Sequence, residues 1–381
     1  MYIRSHSWGK GDLSWSRVME RLLDASEKLG HNSLFISTNG YDGMERWTEQ
    51  LSQQTVDAHK KEMAGKPYDI DITYTIPFNF PHRFLQSSKV KVGRYDYESS
   101  ELPKELAKHI NVPDYIVGSS DFVLDIFARA GADLKKLRKI PSGVDTKIFC
   151  PKGPKLNLEK MGMDKPFVFL CIAEPHYRKQ LDKLIEVYCS RFTSVDNVVL
   201  LIKTKFLGDR PQPFEMDIRP HLAAAKNKYG DKMPAIKILN GFMKDVAPIY
   251  RAADVFVLPT AGEGWGMPFL EAMACGNIVI APEYGGQLEF LTKNNSLLVP
   301  VDIVKALPQE QYGVPAGADI VSLKKNPDGV VGRPKLDDFG DAMLYAYKNH
   351  ATIKQKLSSD MISTANHYSW EFAAKKMLEL A

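Results

Sequence analysis

Short runs of consecutive apolar residues alternate with amphipathic runs along almost the whole chain of 381 residues. In the second half, 167–172, 198–203, 236–239, 255–259, 277–281 and 297–301 are continuous apolar stretches. Such stretches are expected of strands covered on both faces of a parallel sheet. Between them, 179–188, 218–229, 245–252 and 268–275 space their apolar residues as helices do. The first half follows the same rhythm. A short amino-terminal strand and runs at 33–37, 69–75, 89–95 and 115–118 read as strands. The segments 14–29, with Val18, Leu22, Leu23 and Ala25 on one face, and 122–130 read as helices. Alternation on this scale predicts an α/β chain of doubly wound, Rossmann-like sheets.

Where one such unit gives way to the next is legible. Ile140-Pro141-Ser142-Gly143-Val144-Asp145 ends a strand in a turn, and Cys150-Pro151-Lys152-Gly153-Pro154 reads as a linker. The expected domains are therefore 1–148 and 149–361, followed by a helical tail over about 362–381. Residues 302–335, with Pro308, Pro315, Pro327 and Pro334, read as a long irregular zone, a length usually tied to function or mobility. Ser369 before Trp370 and Glu371 reads as a helix start.

Composition narrows the classes without choosing a partner. The chain is 44% hydrophobic and 25% charged, enough apolar residue for sizeable cores, which excludes a disordered chain or a disulfide-dense miniprotein. A net charge of +4 neither requires nor excludes nucleic acid or a membrane surface. Cys150, Cys171, Cys189 and Cys275 fit no zinc or redox spacing and read as reduced thiols. No run approaches the ~20 apolar residues of a spanning helix, and the amino terminus lacks a secretory apolar region. The expected location is cytoplasmic.

The most informative stretch runs from Pro259 to Gly276 (PTAGEGWGMPFLEAMACG). A buried strand ends, a glycine-rich turn follows, and a helix opens near Pro268. That arrangement lets ligand oxygens approach backbone N–H groups and a positive helix end. Glu263 in the turn and Glu271 two helical turns on are placed to accept hydrogen bonds from sugar and ribose hydroxyls. Asp69-Ile70-Asp71, which has the look of an Asp-x-Asp metal motif, reads instead as a polar strand edge, and no obligatory metal is expected.

Glu263 and Glu271 with the intervening residues resemble the Glu-x7-Glu motif of family 4 retaining glycosyltransferases of the GT-B fold. Asn240-Gly241-Phe242, Tyr250-Arg251-Ala252-Ala253-Asp254-Val255 and Gly285-Gly286-Gln287-Leu288-Glu289 agree in order, as do the hinge-like Pro141–Asp145 segment and Arg178-Lys179. The resemblance implies two Rossmann-like domains facing a central cleft, the tail helix returning to the first. It implies a nucleotide-sugar donor, with uridine diphosphate the commonest carrier. Glu263 would contact the transferred sugar, Glu271 the ribose, and Lys179 with Arg178 the departing diphosphate. Gly264, Trp265, Gly266, Met267 and Phe242 would line the donor, and Gly11, in Gly9-Lys10-Gly11-Asp12, would reach toward its phosphates. The chain departs from many relatives at Ile172-Ala173-Glu174, where they carry Gly-Arg. Lys203 or Lys205 would then supply the missing charge, or else mark an exposed strand end.

On the acceptor side, Glu98 lies in a segment resembling a subgroup's Glu-Ser-x-x-Leu-Pro and is a candidate for acceptor orientation or base assistance. Ser99 or Ser100 could instead cap a helix. Arg94 and His82 are candidate acceptor-side residues; for His82, as for His6, the other reading is a structural histidine. Residues 1–149 hold 21 Lys and Arg against 20 Asp and Glu, so no basic face marks the acceptor as a polyanion. The first domain also resembles phage enzymes that glycosylate hydroxymethylated pyrimidines in DNA. A saccharide, a lipid-linked or small molecule, and 5-hydroxymethylpyrimidine in DNA stay open as acceptors. A catalytically silent binding protein and a sugar-nucleotide epimerase are the alternatives, and oligomeric state is left undetermined.

Overall fold

The apolar runs assemble into two six-stranded, all-parallel sheets, as the alternation of strand and helix predicts. The computed structural model describes residues 1–7, 14–37, 67–207, 214–310 and 329–381. The expected glycine loop with Gly11 lies outside the described residues. The chain clusters into two units. Unit 1 comprises Met1–Tyr97, Glu101–Gly143 and Tyr368–Ala381; unit 2 comprises Glu98–Ser100 and Val144–His367.

The sheet of unit 1 contains β1 (Tyr2–Ser7), β2 (Asn32–Ser37), β3 (Ile70–Tyr74), β4 (Val90–Arg94), β5 (Tyr115–Gly118) and β6 (Leu137–Lys139). Its spatial order is β2-β1-β3-β4-β5-β6. The chain winds outward from β1 to β2, then returns past β1 to begin the other flank at β3. The strand order therefore reverses between β1 and β3. β3 is an interior strand, which corrects the reading of Asp69-Ile70-Asp71 as a polar edge. Asp71 is fully buried because Arg4 donates to it at 2.8 Å, with the Leu85 N–H at 2.8 Å and the Ser88 hydroxyl at 3.1 Å. Burial raises its pKa, opposed by Arg4.

Helix Ser14–Lys28 turns Val18, Met19, Leu22, Leu23 and Ala25 inward, and the carboxyl-terminal helix Trp370–Leu378 packs against it. The Ser369 hydroxyl caps that last helix by accepting from the Phe372 N–H at 3.1 Å. Gly143 explains part of the hinge-like motif. A Cβ there would stand 2.3 Å from the Trp370 nitrogen, so only glycine lets the two backbones pass.

The sheet of unit 2 contains β7 (Phe167–Ile172), β8 (Val198–Thr204), β9 (Ala235–Asn240), β10 (Val255–Val257), β11 (Ile278–Pro282) and β12 (Leu297–Val299). It is ordered β12-β11-β10-β7-β8-β9, with its reversal between β7 and β10. Every residue of β8, β10 and β11 is buried, the reason these strands read as unbroken apolar runs. The zone expected to be irregular is corrected at both ends. β13 (Val301–Lys305) and β14 (Val330–Pro334) pair as an antiparallel ribbon. Residues 311–328 between them lie outside the described residues. Cys171, Cys189 and Cys275 are buried thiols, Cys171 and Cys275 each pushed up to about 12 by burial. Among the described residues, no helix is long and apolar enough to cross a membrane.

Candidate active site

In doubly wound sheets, ligands bind beyond the carboxyl ends of the strands where the order reverses. In unit 2 that is the gap between β7 and β10, and the segments leaving these strands carry Arg178, Lys179 and Glu263. After β7 the chain enters a short 3-10 turn, Tyr177–Lys179, then passes Gln180 in a left-handed conformation (φ 52°) before helix Leu181–Arg191. Arg178 and Lys179 thus sit in the turn, ahead of the helix predicted to begin at 179. The left-handed residue interrupts helical winding and turns both side chains inward, where they are buried.

After β10, Thr260 to Gly266 form the glycine-rich turn, and Gly266 (φ 89°) caps helix Met267–Ala274. Glu263 Oε1 accepts from Lys179 Nζ at 2.5 Å and from Arg178 Nη1 at 3.1 Å. The same Nη1 donates to the Gly262 carbonyl at 2.9 Å, and Nη2 donates to Glu98 Oε1 at 2.9 Å. Two cations and two carboxylates are therefore interlocked. Burial pushes the Glu263 carboxyl up, but Lys179 and Arg178 outweigh it and its pKa falls below the ordinary value. Lys179 is pushed down by burial and by Arg178, with Glu263 opposing.

The turn is braced from three sides. The Ala261 N–H donates to the Arg178 carbonyl at 2.7 Å, and the Gly332 N–H of β14 donates to the Ala261 carbonyl at 2.9 Å. The Gly286 N–H donates to the Glu263 carbonyl at 2.7 Å, and a Cβ at Gly285 (φ 101°) would stand 3.1 Å from Glu263 backbone atoms. The segment bearing Glu98 is fixed to β14 through Ser100, whose N–H donates to the Val330 carbonyl at 3.0 Å while its hydroxyl accepts from the Val330 N–H at 2.9 Å. Ser100, a candidate helix cap from the sequence, instead ties this segment to β14. This bracing by β14 has no local sequence signal.

The remaining expected site residues hold other partners. Glu271, half-buried on its helix, accepts from the Tyr250 hydroxyl at 2.8 Å. Gly264 is buried, Trp265 is 4% exposed with its ring 4.9 Å from Phe290, and Met267 is half-buried. Phe242 is 64% exposed. Lys203 is buried and donates to the Gly241 carbonyl, so it is not an exposed strand end. Lys205 pairs with Glu215 at 2.9 Å and reaches Glu174 at 4.0 Å. Glu174 also accepts from His176 Nε2 at 3.1 Å, which with the nearby cations holds its carboxyl at about 2. The two carboxylates therefore already engage the charge expected of Lys205.

In unit 1, Arg94 departs from an acceptor-facing role. It is fully buried and donates to the Ile140 carbonyl at 3.0 Å and the Ser142 hydroxyl at 2.9 Å, tying β4 to the segment after β6. His82 is exposed at the end of the turn Pro77–His82. Among the described residues, no three His, Cys, Asp or Glu side chains are grouped to hold a metal ion.

Two doubly wound, Rossmann-like sheets in one chain are the architecture of the GT-B fold. The structural likeness establishes that fold: Anabaena HepE in complex with UDP superposes with a TM-score of 0.70 at 14% identity, covering 100% of this chain and 99% of that one. Residues 166–310 match the family model described as glycosyl transferases group 1, a segment that contains Arg178, Lys179, Glu263 and Glu271. The lipopolysaccharide core biosynthesis mannosyltransferase LpsB of Rhizobium meliloti is 26% identical over 206 residues, 52% of this chain and 57% of LpsB. A GDP-mannose-dependent monoacylated phosphatidylinositol monomannoside mannosyltransferase of Corynebacterium glutamicum is 30% identical over 208 residues, 51% of this chain and 50% of that protein. The chain spans about half the length of the curated relatives it matches.

Proposed function

We propose that the protein is a retaining glycosyltransferase of family 4 that moves a hexosyl or pentosyl group from a nucleotide sugar to an acceptor hydroxyl. The observation that carries this reading is the convergence of Lys179, Arg178 and Glu263 at the switch point of unit 2. Breaking the anomeric C–O bond leaves an oxocarbenium-like carbon and sends the electron pair to the nucleoside diphosphate. A buried cationic pair aimed at that leaving group stabilises the charge where it develops. Glu263 orients the two cations and accepts from sugar hydroxyls, while Glu271 holds the ribose. The acceptor oxygen bonds to the anomeric carbon on the face the diphosphate leaves, and its proton passes to a departing phosphate oxygen. This reading calls for no obligatory metal or other cofactor.

In this reading residues 149–361 bind the donor and 1–148 the acceptor. UDP in the HepE complex supports a UDP-sugar, and the relative named GDP-mannose-dependent makes GDP-mannose the second donor to test. The acceptor is a hydroxyl of a saccharide or small molecule, or of 5-hydroxymethylpyrimidine in DNA. The test incubates the protein with UDP-glucose, UDP-N-acetylglucosamine and GDP-mannose against glycan, inositol phosphate and hydroxymethylated-DNA acceptors. Product mass and anomeric configuration are then read. A product with the donor's configuration supports the reading. An inverted product, a donor epimer formed without acceptor, or nucleotide-sugar binding with no turnover would each replace it.

A further inference from the structure

The segment 250–255 lies outside the Lys179–Glu263 cluster, and its charged side chains serve the fold. Arg251 Nε donates to the Cys150 carbonyl at 3.0 Å, fastening the linker, and Asp254 accepts from the Val168 N–H of β7 at 2.9 Å. The Tyr250 hydroxyl has another kind of partner. It reaches from the helix Ala247–Arg251 to the helix Met267–Ala274 and donates to Glu271 Oε2 at 2.8 Å. Tyr250 is fully buried, whereas Glu271 is half-buried and so keeps an open side.

The tyrosine ring is held in place. It lies tilted against Phe256, with centroids 5.8 Å apart, and edge-on to Phe149 at 5.7 Å. Its backbone is tied to the Glu271 helix independently of the hydroxyl. Buried Asn277 donates through Nδ2 to the Tyr250 carbonyl at 2.9 Å and to the Ala253 carbonyl at 2.6 Å. The Asn277 N–H donates to the Ala272 carbonyl, next to Glu271, at 3.0 Å. Asn277 therefore fixes the spacing of the helices, and the hydroxyl sets the direction of the carboxylate. Burial, then the Glu271 charge, push Tyr250 well above the usual tyrosine pKa, so the hydroxyl keeps its proton and donates. A hydrogen bond to an ionised acceptor is among the stronger kinds. A glutamate pinned before its ligand arrives loses less freedom on binding.

We propose that Tyr250 is a positioning residue for nucleotide recognition: its hydroxyl aims the Glu271 carboxylate at the ribose diol, so that the site selects a ribonucleoside diphosphate over a deoxy form. The inference deepens the proposed function and rests on Glu271 as the ribose ligand. A merely structural bond would satisfy the buried hydroxyl and leave the choice of nucleotide untouched.

The experiment measures, by calorimetry, the affinities of UDP, GDP and their 2′,3′-dideoxy forms for the full chain. The same titrations are run on Tyr250→Phe, Glu271→Met and the double variant, in which neither polar group is left without its partner. Tyr250→Phe keeps the ring and the Asn277 ties and removes only the hydroxyl; circular dichroism checks that each variant folds. The parent is expected to bind a ribonucleotide at least ~10-fold tighter than its dideoxy form, because a site built to bond hydroxyls rejects the analogue lacking them. Tyr250→Phe is expected to weaken the ribonucleotide about 5-fold and the dideoxy form less than about twofold. In the double variant the lost hydroxyl should add nothing to the effect of Glu271→Met, since it acts through that residue. Undiminished ribose preference in Tyr250→Phe, equal weakening of both nucleotide forms, or additive losses in the double variant would each overturn the proposal. If Glu271→Met still abolishes the preference, the proposed function stands without it. No preference in the parent, or one that survives Glu271→Met, would instead remove the ribose role of Glu271, and this inference with it.

Discussion

Gly262 is the position where one methyl group should do most harm to the donor cluster. A Cβ there would stand 2.2 Å from the Glu98 carbonyl oxygen, well inside the 3.0 Å below which something must shift. Both partners are backbone, so no side chain can swing aside, and relief needs a displacement of roughly 1 Å. The Gly262 carbonyl and the Glu98 carboxylate are two of the groups that hold Arg178, each at 2.9 Å. Moving one segment from the other therefore loosens the guanidinium. Overpacking of this kind costs about 1–3 kcal/mol in stability, and misplacing a reacting group by about 1 Å can cost ~100-fold in rate. Gly262→Ala is thus expected to lower kcat/KM for the nucleotide sugar about 100-fold while the protein still folds. The assay follows UDP or GDP release with the donor the protein prefers, beside a thermal melt. Gly30→Ala is the matched control, since its Cβ meets open space and only its φ of 86° is strained. It should lose about 1 kcal/mol of stability and no activity. Gly262→Ala with kcat/KM within twofold of the parent would refute the reasoning.

Lys179→Met removes the closest partner of buried Glu263, leaving Arg178 as the cation beside it and Thr260 as a hydrogen-bond donor. Stability should fall by about 3 kcal/mol, the lower end for breaking a buried pair, read as a lower denaturation midpoint. Ser369→Ala deletes the cap of the last helix and should cost about 1 kcal/mol, whereas Ser369→Asp should be nearly neutral in the same melt. Acid stability carries two signatures. His6 has an ordinary pKa of 6.5 and is held at about 3 by burial, so between those values the unfolded chain binds the extra proton. Stability contributed above pH 6.5 is then lost as pH falls, by at most ~1.4 kcal/mol per unit. His6→Gln should flatten that slope in denaturant titrations at pH 7, 5 and 4. Glu174, drawn from 4.5 to about 2 by His176, should add a smaller loss below pH 4.5 that Glu174→Gln removes, its side chain being 43% exposed and screened.

Much of the fold could be read directly because strands buried on both faces write themselves as apolar runs. β8, Val198–Thr204, is the clearest instance. The glycine-rich turn after β10 is equally plain, since Gly262 and Gly266, like Gly285 after β11, each meet a steric or backbone demand that the sequence expresses as glycine. Other features lack a local signal. Asp71 looks like a surface carboxylate until Arg4, brought alongside by strand pairing, accounts for its burial. Arg94 looks like a free cation beside a binding surface, and only the fold supplies the Ile140 and Ser142 oxygens that consume it. The β13–β14 ribbon was hidden by the glycines and prolines of its surroundings. Its role in bracing Ala261 and Ser100 depends on contacts between residues more than 60 positions apart. Glu98 was legible as a candidate, but its union with Arg178 was not.

The central claim is that Lys179 and Arg178, set by Glu263, grip the diphosphate of a nucleotide sugar. Calorimetric titration of UDP-glucose and GDP-mannose into the parent and into Lys179→Met and Arg178→Met tests it most directly. The account predicts micromolar binding of at least one donor by the parent and at least ~10-fold weaker binding by each variant. Undiminished affinity in both variants, or no donor binding by the parent, would contradict it.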